Sequence, residues 1–164
     1  PEAYPPLALA TAGNHDMATL RGWWEGRDIG LKQKHGLYPM EGEAARQLAR
    51  RSRERAALAD VLERAGLAPK GLAADSPYGD ELSLAGHAFL AASRASIAMV
   101  QLDDLTDEAD QVNLPATTDA YPNWRRKLSL SIEDILNDRR VRALAEVMNR
   151  VRPFGRQDST RREE

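Results

Sequence analysis

Apolar positions along the chain follow two patterns. Two short runs, Leu7-Ala-Leu-Ala-Thr11 and Ile97-Ala-Met-Val-Gln-Leu102, are nearly continuous, as in strands buried on both faces. Elsewhere the spacing is helical. Leu58, Val61, Leu62 and Ala65 form one stripe at i, i+3, i+4 and i+7 within an Ala- and Arg-rich run over 41–65. Leu82, Ala85, Phe89 and Ala92 form a second stripe over 80–93, and Val141, Leu144, Ala145, Met148 and Val151 a third. Shorter helices are predicted over 17–25, capped by Asp16 or Thr19, and over 27–34, stopped by His35-Gly36. Tyr38-Pro39 marks a turn, Pro39 suits the first position of a helix, and Ser131-Ile-Glu-Asp134 reads as a capping box with Asp in place of Glu. Residues 66–79 and 110–128 carry the turn formers and low regularity of loops.

Strand, helices, strand, then helices is the order of two consecutive βα units. At 164 residues the chain holds one domain with a core, but a complete (β/α)8 barrel needs at least about 200 residues. Beginning at Pro1 rather than Met, the sequence reads as the carboxyl-terminal piece of something longer. The expected fold class is therefore α/β, a C-terminal fragment of a (β/α)8 barrel that is predominantly α-helical as an isolated piece. The expected layout places barrel over 1–152: a strand at 7–12, a helical excursion over 16–93, a strand at 96–102, then loop and helices over 103–152. A disordered tail is expected at 153–164.

Charge narrows the function classes. Twenty-three basic and twenty-five acidic side chains leave a net charge of −2, so no global field attracts nucleic acid. Arginines nevertheless crowd residues 46–55, and eight more stand from Arg139 onward, while residues 101–120 carry only acids. Solvated helix faces account for such runs, and the arginines lack the interleaved aromatics of a nucleic-acid surface. Cysteine is absent, so no thiolate metal site or disulfide is available. No apolar run approaches the roughly 18 residues of a membrane span, and no signal-peptide layout opens the chain; a cytoplasmic setting is expected.

The chemistry gathers after the first strand. Gly13-Asn14 ends it, and His15-Asp16 follow just beyond its carboxyl end, where parallel-sheet and barrel enzymes place reactive groups. The segment His15-Asp16-Met-Ala-Thr19-Leu-Arg-Gly22-Trp23-Trp24 resembles the His-Asp-x-x-Thr-x-x-Gly-aromatic-Trp element of the amylomaltases, the 4-α-glucanotransferases related to α-amylases. Leu37-Tyr38-Pro39, Gln111-Val-Asn113-Leu-Pro115-Ala116-Thr117 and Tyr121-Pro-Asn-Trp124-Arg-Arg-Lys-Leu128 are similar to three further elements of that family, in its order and spacing. Together they span roughly residues 7–137. Two departures stand out: Ala116 where the family more often has Gly, and Asn14 where it usually has Thr.

What the resemblance implies is a retaining transfer of α-1,4-glucan segments to the 4-hydroxyl of acceptor sugars, with maltooligosaccharides as partners and neither metal nor cofactor. Such chemistry uses two carboxyl groups about 5 Å apart, with a third group aimed at the oxocarbenium-like transition state. Asp16 corresponds to that third carboxylate, the transition-state stabiliser, and His15 to a donor toward the same sugar ring. Asn113, Pro115 and Trp124 lie in segments that the resemblance places along the sugar site. The nucleophile and acid/base motifs are absent from this sequence, so the piece by itself is expected to be inactive. Asp103 and Asp104, after the second strand, are expected to be polar loop residues or supporting hydrogen-bond partners. Two adjacent tryptophans on a helix point about 100° apart, so at least one of Trp23 and Trp24 belongs in the core, and packing is the leading assignment for Trp23, Trp24, Tyr38 and Trp124. Arg125 and Arg126 are expected to pin the loop. Cut barrel strands leave open edges, so self-association is expected. The rival readings are a non-enzymatic helical interaction module and an arginine-driven nucleic-acid binder.

Overall fold

The computed structural model describes residues 3–153; the predicted tail otherwise lies outside the described residues. Seven helices and two short strands are present among them. Strand β1 (Leu9–Ala10) pairs in parallel with β2 (Ile97–Ala98), Leu9 opposite Ile97 and Ala10 opposite Ala98. Flanking backbone bonds lengthen the ladder: Ser96 N donates to Pro6 O, Ile97 N to Ala8 O and Met99 N to Ala10 O.

Both predicted strands are therefore parallel neighbours, but they are shorter than 7–12 and 96–102, and they are not buried on both faces. Side chains alternate across a strand. Leu7, Leu9, Ile97 and Met99 all face outward, Leu7 at 92% exposure and Ile97 at 57%, while Ala10 is buried on the opposite face. A two-stranded ladder satisfies only one edge of each strand, and among the described residues no layer covers the outer face.

The helices connect the strands. After β1 come α1 (Leu20–Glu25) and α2 (Arg27–Lys34), divided at Gly26, whose φ of +74° an L side chain rarely adopts. Thr19 rather than Asp16 caps α1, its hydroxyl accepting from Gly22 N. Next is α3 (Glu43–Arg64), starting after Gly42, so Pro39 lies in the preceding turn and not at a helix start. Helix α4 (Asp80–Ala91) returns to β2. Trp24, Leu62, Leu82 and Ala85 form the core between α1, α3 and α4, with Trp23, Leu58, Tyr78 and Phe89 packed around them. Ala65 and Ala92, assigned to the inward stripes, are exposed because the helices end there, and Ala91 is buried instead.

After β2 the short helix α5 (Leu102–Leu105) replaces the expected loop at Asp103 and Asp104. The irregular segment up to residue 130 precedes α6 (Ile132–Asn137), where Ser131 caps Asp134 N as its sequence predicts. Asp138 caps α7 (Arg139–Val151), which packs along α4 through Leu144. Ala145, placed on the apolar stripe of that helix, faces solvent.

Candidate sugar-binding site

The turn after β1, the 111–117 loop and Trp124 meet beyond the carboxyl end of β1. The turn after it is closed locally: Asn14 Oδ1 accepts from Asp16 N at 2.9 Å, and Asn14 O accepts from Met17 N at 3.0 Å. This Asx turn leaves the Asp16 side chain half exposed, at 51%. Asn113 Nδ2 donates to Asp16 Oδ1 at 2.6 Å. His15 Nε2 lies 3.4 Å from Asp16 Oδ2, and the His15 ring packs on Trp124 with centroids 5.1 Å apart. Pro115 is exposed on the same loop as Asn113. The structure thus brings His15, Asp16, Asn113 and Trp124 together, with Pro115 at the loop's surface.

The 111–117 loop is held from behind. Leu114 is fully buried and its N–H donates to Asn123 Oδ1 at 2.8 Å, while Asn123 Nδ2 donates to the Thr117 carbonyl and hydroxyl oxygens, each at 2.9 Å. Gln111 Nε2 donates to Asn113 O at 2.6 Å, and the Tyr121 hydroxyl donates to Gln111 O. Arg126 then clamps the segment, donating to the Tyr121 hydroxyl, lying over its ring and pairing with Asp110 at 3.0 Å. Arg126 is therefore a loop-pinning residue, as its sequence position predicts. Gln111, Tyr121 and Asn123 are what sequence reasoning missed; two amides and a phenol inside an irregular stretch were the available signal.

Two left-handed backbone positions shape the rim, Ala116 at φ +67° and Trp124 at φ +61°. Ala116 occupies the place where the amylomaltase element more often has Gly, which such a φ explains. Trp124 is 63% exposed, so packing into the core does not account for it. Trp24 is the core member of the adjacent pair, its Nε1 donating to Ser76 O at 2.8 Å.

Asp16 also borders a cavity of about 620 Å³ that it lines with Trp23, Arg51, Leu58, Phe89 and Gln111. Arg51, which also lines it, is not a solvated face residue: both terminal nitrogens reach Asp28, each at 2.9 Å, its guanidinium lies over Trp23, and it donates to the Trp23 carbonyl. Arg55 donates to Trp24 O, and Arg46 and Arg50 pair with Glu43 and Glu54. Four of the five arginines over 46–55 thus have partners within the fold.

On the other side of the turn, Asp103 and Asp104 join a small recess with Asn14, His15 and Thr19. Burial pushes both carboxyls above the ordinary range, with the charge of Asp104 adding to the shift of Asp103. Among the described residues no group of three or more acidic, histidine or cysteine side chains is arranged to hold a metal ion. No helix among them is long and apolar enough to cross a membrane.

Known proteins are similar to this chain. The family model described as 4-alpha-glucanotransferase covers residues 1–132. The 4-alpha-glucanotransferases of Haemophilus influenzae and Mycobacterium bovis are 31% and 33% identical to the chain over 153 residues, covering 91% and 90% of it. The crystal structure of amylomaltase from Corynebacterium glutamicum superposes with a TM-score of 0.79 at 29% identity, over 90% of this chain. The chain spans only 22% and 20% of those two relatives and 22% of that structure. With four-fifths of its length inside the family model, the chain belongs to the 4-alpha-glucanotransferase family.

Proposed function

We propose that this chain is the carboxyl-terminal portion of the catalytic barrel of a 4-α-glucanotransferase, with β1 and β2 as neighbouring barrel strands and residues 16–93 as a helical excursion between them. The whole protein would cleave an α-1,4-glucan with retention, hold a glucosyl group on a carboxylate outside this chain, and pass it to the 4-hydroxyl of another maltooligosaccharide. Asp16 would stabilise the cationic transition state and bind the sugar's hydroxyls, His15 would donate to the same ring, and Asn113, Pro115 and Trp124 would line the site. The chain by itself would be inactive, since the nucleophile and acid/base lie elsewhere. The protein would act in the cytoplasm, and the isolated piece would self-associate through its open sheet.

The observation that carries this reading is the Asn113–Asp16 contact. An amide donor fixes one carboxylate oxygen from a loop 97 residues away, while half of the carboxylate stays open to a ligand. A stable helix cap would need neither. The adjoining Trp124 offers an exposed indole face beside it, suited to the apolar face of a pyranose ring.

The test is disproportionation of maltotriose by the full-length protein and its Asp16→Asn variant. Loss of about 10³-fold or more in turnover is expected for a group aimed at developing charge. Near-complete retention removes Asp16 from the mechanism.

A further inference from the structure

His87 sits on α4, fully buried at 1% exposure and outside the sugar site. Its Nδ1 lies 2.8 Å from the Ser83 carbonyl one turn earlier. A carbonyl oxygen only accepts, so Nδ1 carries a hydrogen and donates it. Among the described residues Nε2 is buried with no hydrogen-bond partner. Leaving such a nitrogen unpaired costs about 1–3 kcal/mol, and native interiors rarely do so without a reason. Asp104 Oδ2, on α5, faces it at 3.9 Å, in a residue only 6% exposed. The separation is longer than a hydrogen bond, but two facing lone pairs repel there, whereas a proton on one of the two groups makes the contact attractive.

The second Asp104 oxygen has a different partner. Oδ1 accepts the Leu20 N–H at 2.7 Å. That amide opens α1 and is one of the donors a helix cannot satisfy internally. Only Met17, Ala18 and Thr19 separate Leu20 from Asp16, and Asp104 borders the recess beneath Asn14 and His15. A chain of contacts therefore runs from α4 through His87, Asp104 and Leu20 to the turn that presents Asp16.

We propose that His87 and Asp104 hold one proton between Nε2 and Oδ2, and that this pair, acting through Leu20, fixes the start of α1 and thereby the direction of the Asp16 carboxylate. Asp104 is thus a positioning residue for the sugar site. Burial pushes its carboxyl above the ordinary range against the pull of the Leu20 amide and His87, in keeping with a carboxyl that retains access to a proton. The charged groups around it are Asp103 beside it on α5, and Asp80, Asp107, Arg139 and Arg140, which share with it a cavity of about 310 Å³. The catalytic consequence rests on the role assigned to Asp16 above; the geometry of the pair does not.

Two measurements test it. Nitrogen-15 spectra of the histidine-labelled chain should show His87 Nε2 protonated or hydrogen-bonded at neutral pH; the signal of a bare imine nitrogen overturns the proposal without any variant. Asp104→Ala should speed hydrogen exchange at the Leu20 amide about tenfold or more, the worth of one charge-assisted hydrogen bond. In the full-length protein the same change should lower kcat for maltotriose by about tenfold with KM little altered. Asp104→Asn should restore both, because its amide can donate to Nε2 while its oxygen accepts from Leu20. Equal damage from Ala and Asn, or unchanged Leu20 exchange in Asp104→Ala, sinks it. If the spectra and exchange behave as expected while Asp16→Asn keeps its turnover, the pair stands and the assignment of Asp16 fails.

Discussion

Asn113 donates to Asp16 Oδ1 at 2.6 Å, although the two residues stand 97 positions apart in the sequence. The contact sets the separation between the turn after β1 and the 111–117 loop. Because both groups are substantially exposed, its value for stability is small, within about 1 kcal/mol. Its value for function is orientational. Asn113→Asp would place two carboxylates in contact and push the loop away. The variant should unfold at nearly the wild-type denaturant midpoint, yet the full-length protein should lose about a hundredfold in kcat/KM on maltotriose. Full activity would show that the loop's contact with Asp16 is incidental.

Gly22 explains a position that the motif alone leaves opaque. A Cβ added there would lie 2.4 Å from the Ala109 carbonyl oxygen, a backbone atom that cannot swing aside. The glycine lets α1 pack directly on the segment leading into the site loop. Gly22→Ala should therefore destabilise the chain by about 1–3 kcal/mol despite alanine's better helix propensity. Urea denaturation reads this directly, and a stabilised variant would mean that α1 can shift without cost.

Ala116 is the opposite case. Its φ of +67° is a conformation alanine adopts at a cost of about 1–2 kcal/mol and glycine adopts freely. Part of that gain returns as extra chain entropy in the unfolded state, so Ala116→Gly should stabilise by about 0.5–1 kcal/mol. A shift of the urea midpoint in the destabilising direction would show that the alanine side chain makes a contact worth more than the strain.

These residues mark the border of what the sequence discloses. Helices α3, α4 and α7 were legible because their apolar stripes repeat, α2 because His35-Gly36 stops it, and α6 from its Ser131 cap. The parallel pairing of the two apolar runs was legible from their order. The strand faces were not: Leu7 and Leu9 read as interior, and only tertiary contact decides which face meets a neighbour. Asp16 and His15 were found through the motif, with geometry later supplying Asn113 as a bonded partner. Arg51, grouped with solvated arginines, is buried on Asp28 because its partner lies on a different helix 23 residues earlier. Asp104 looked like one more loop acid for the same reason: its partners Leu20 and His87 are distant in sequence.

The acidic segment sets a pH dependence. Burial raises the carboxyl groups of Asp103, Asp104 and Asp107 above their unfolded values. A folded state that binds protons more tightly than the unfolded one loses stability as pH rises through that window, which opens near the ordinary aspartate value of about 3.9. Glu43 and Asp138 are lowered and act in the reverse sense, their contribution fading as pH falls below the ordinary carboxylate range. Asp103 makes no side-chain ion pair among the described residues, so Asp103→Asn removes one raised carboxyl at little structural cost. The variant should be more stable than wild type at pH 7 by less than about 1 kcal/mol, with the difference closing below about pH 4. A gap that widens on acidification would reverse the assignment.

The outer face of the sheet makes the strongest claim about the isolated chain. Leu7 and Leu9 on one strand, and Ile97 and Met99 on the other, alternate onto a single exposed surface, with Leu9 and Ile97 in direct register. Each large apolar side chain gains about 1.5–3 kcal/mol when fully buried, so four together favour association over solvation. In a whole glucanotransferase the remainder of the barrel would cover them; in this chain a second copy is the nearest substitute. Sedimentation equilibrium should show mass rising with concentration. The double change Leu9→Lys and Ile97→Lys places like charges across the register pair and should leave a monomer with an unchanged helical circular dichroism spectrum. If the double variant associates as strongly as wild type, another surface holds the copies together; if wild type is monomeric throughout, the exposed sheet is tolerated as it stands.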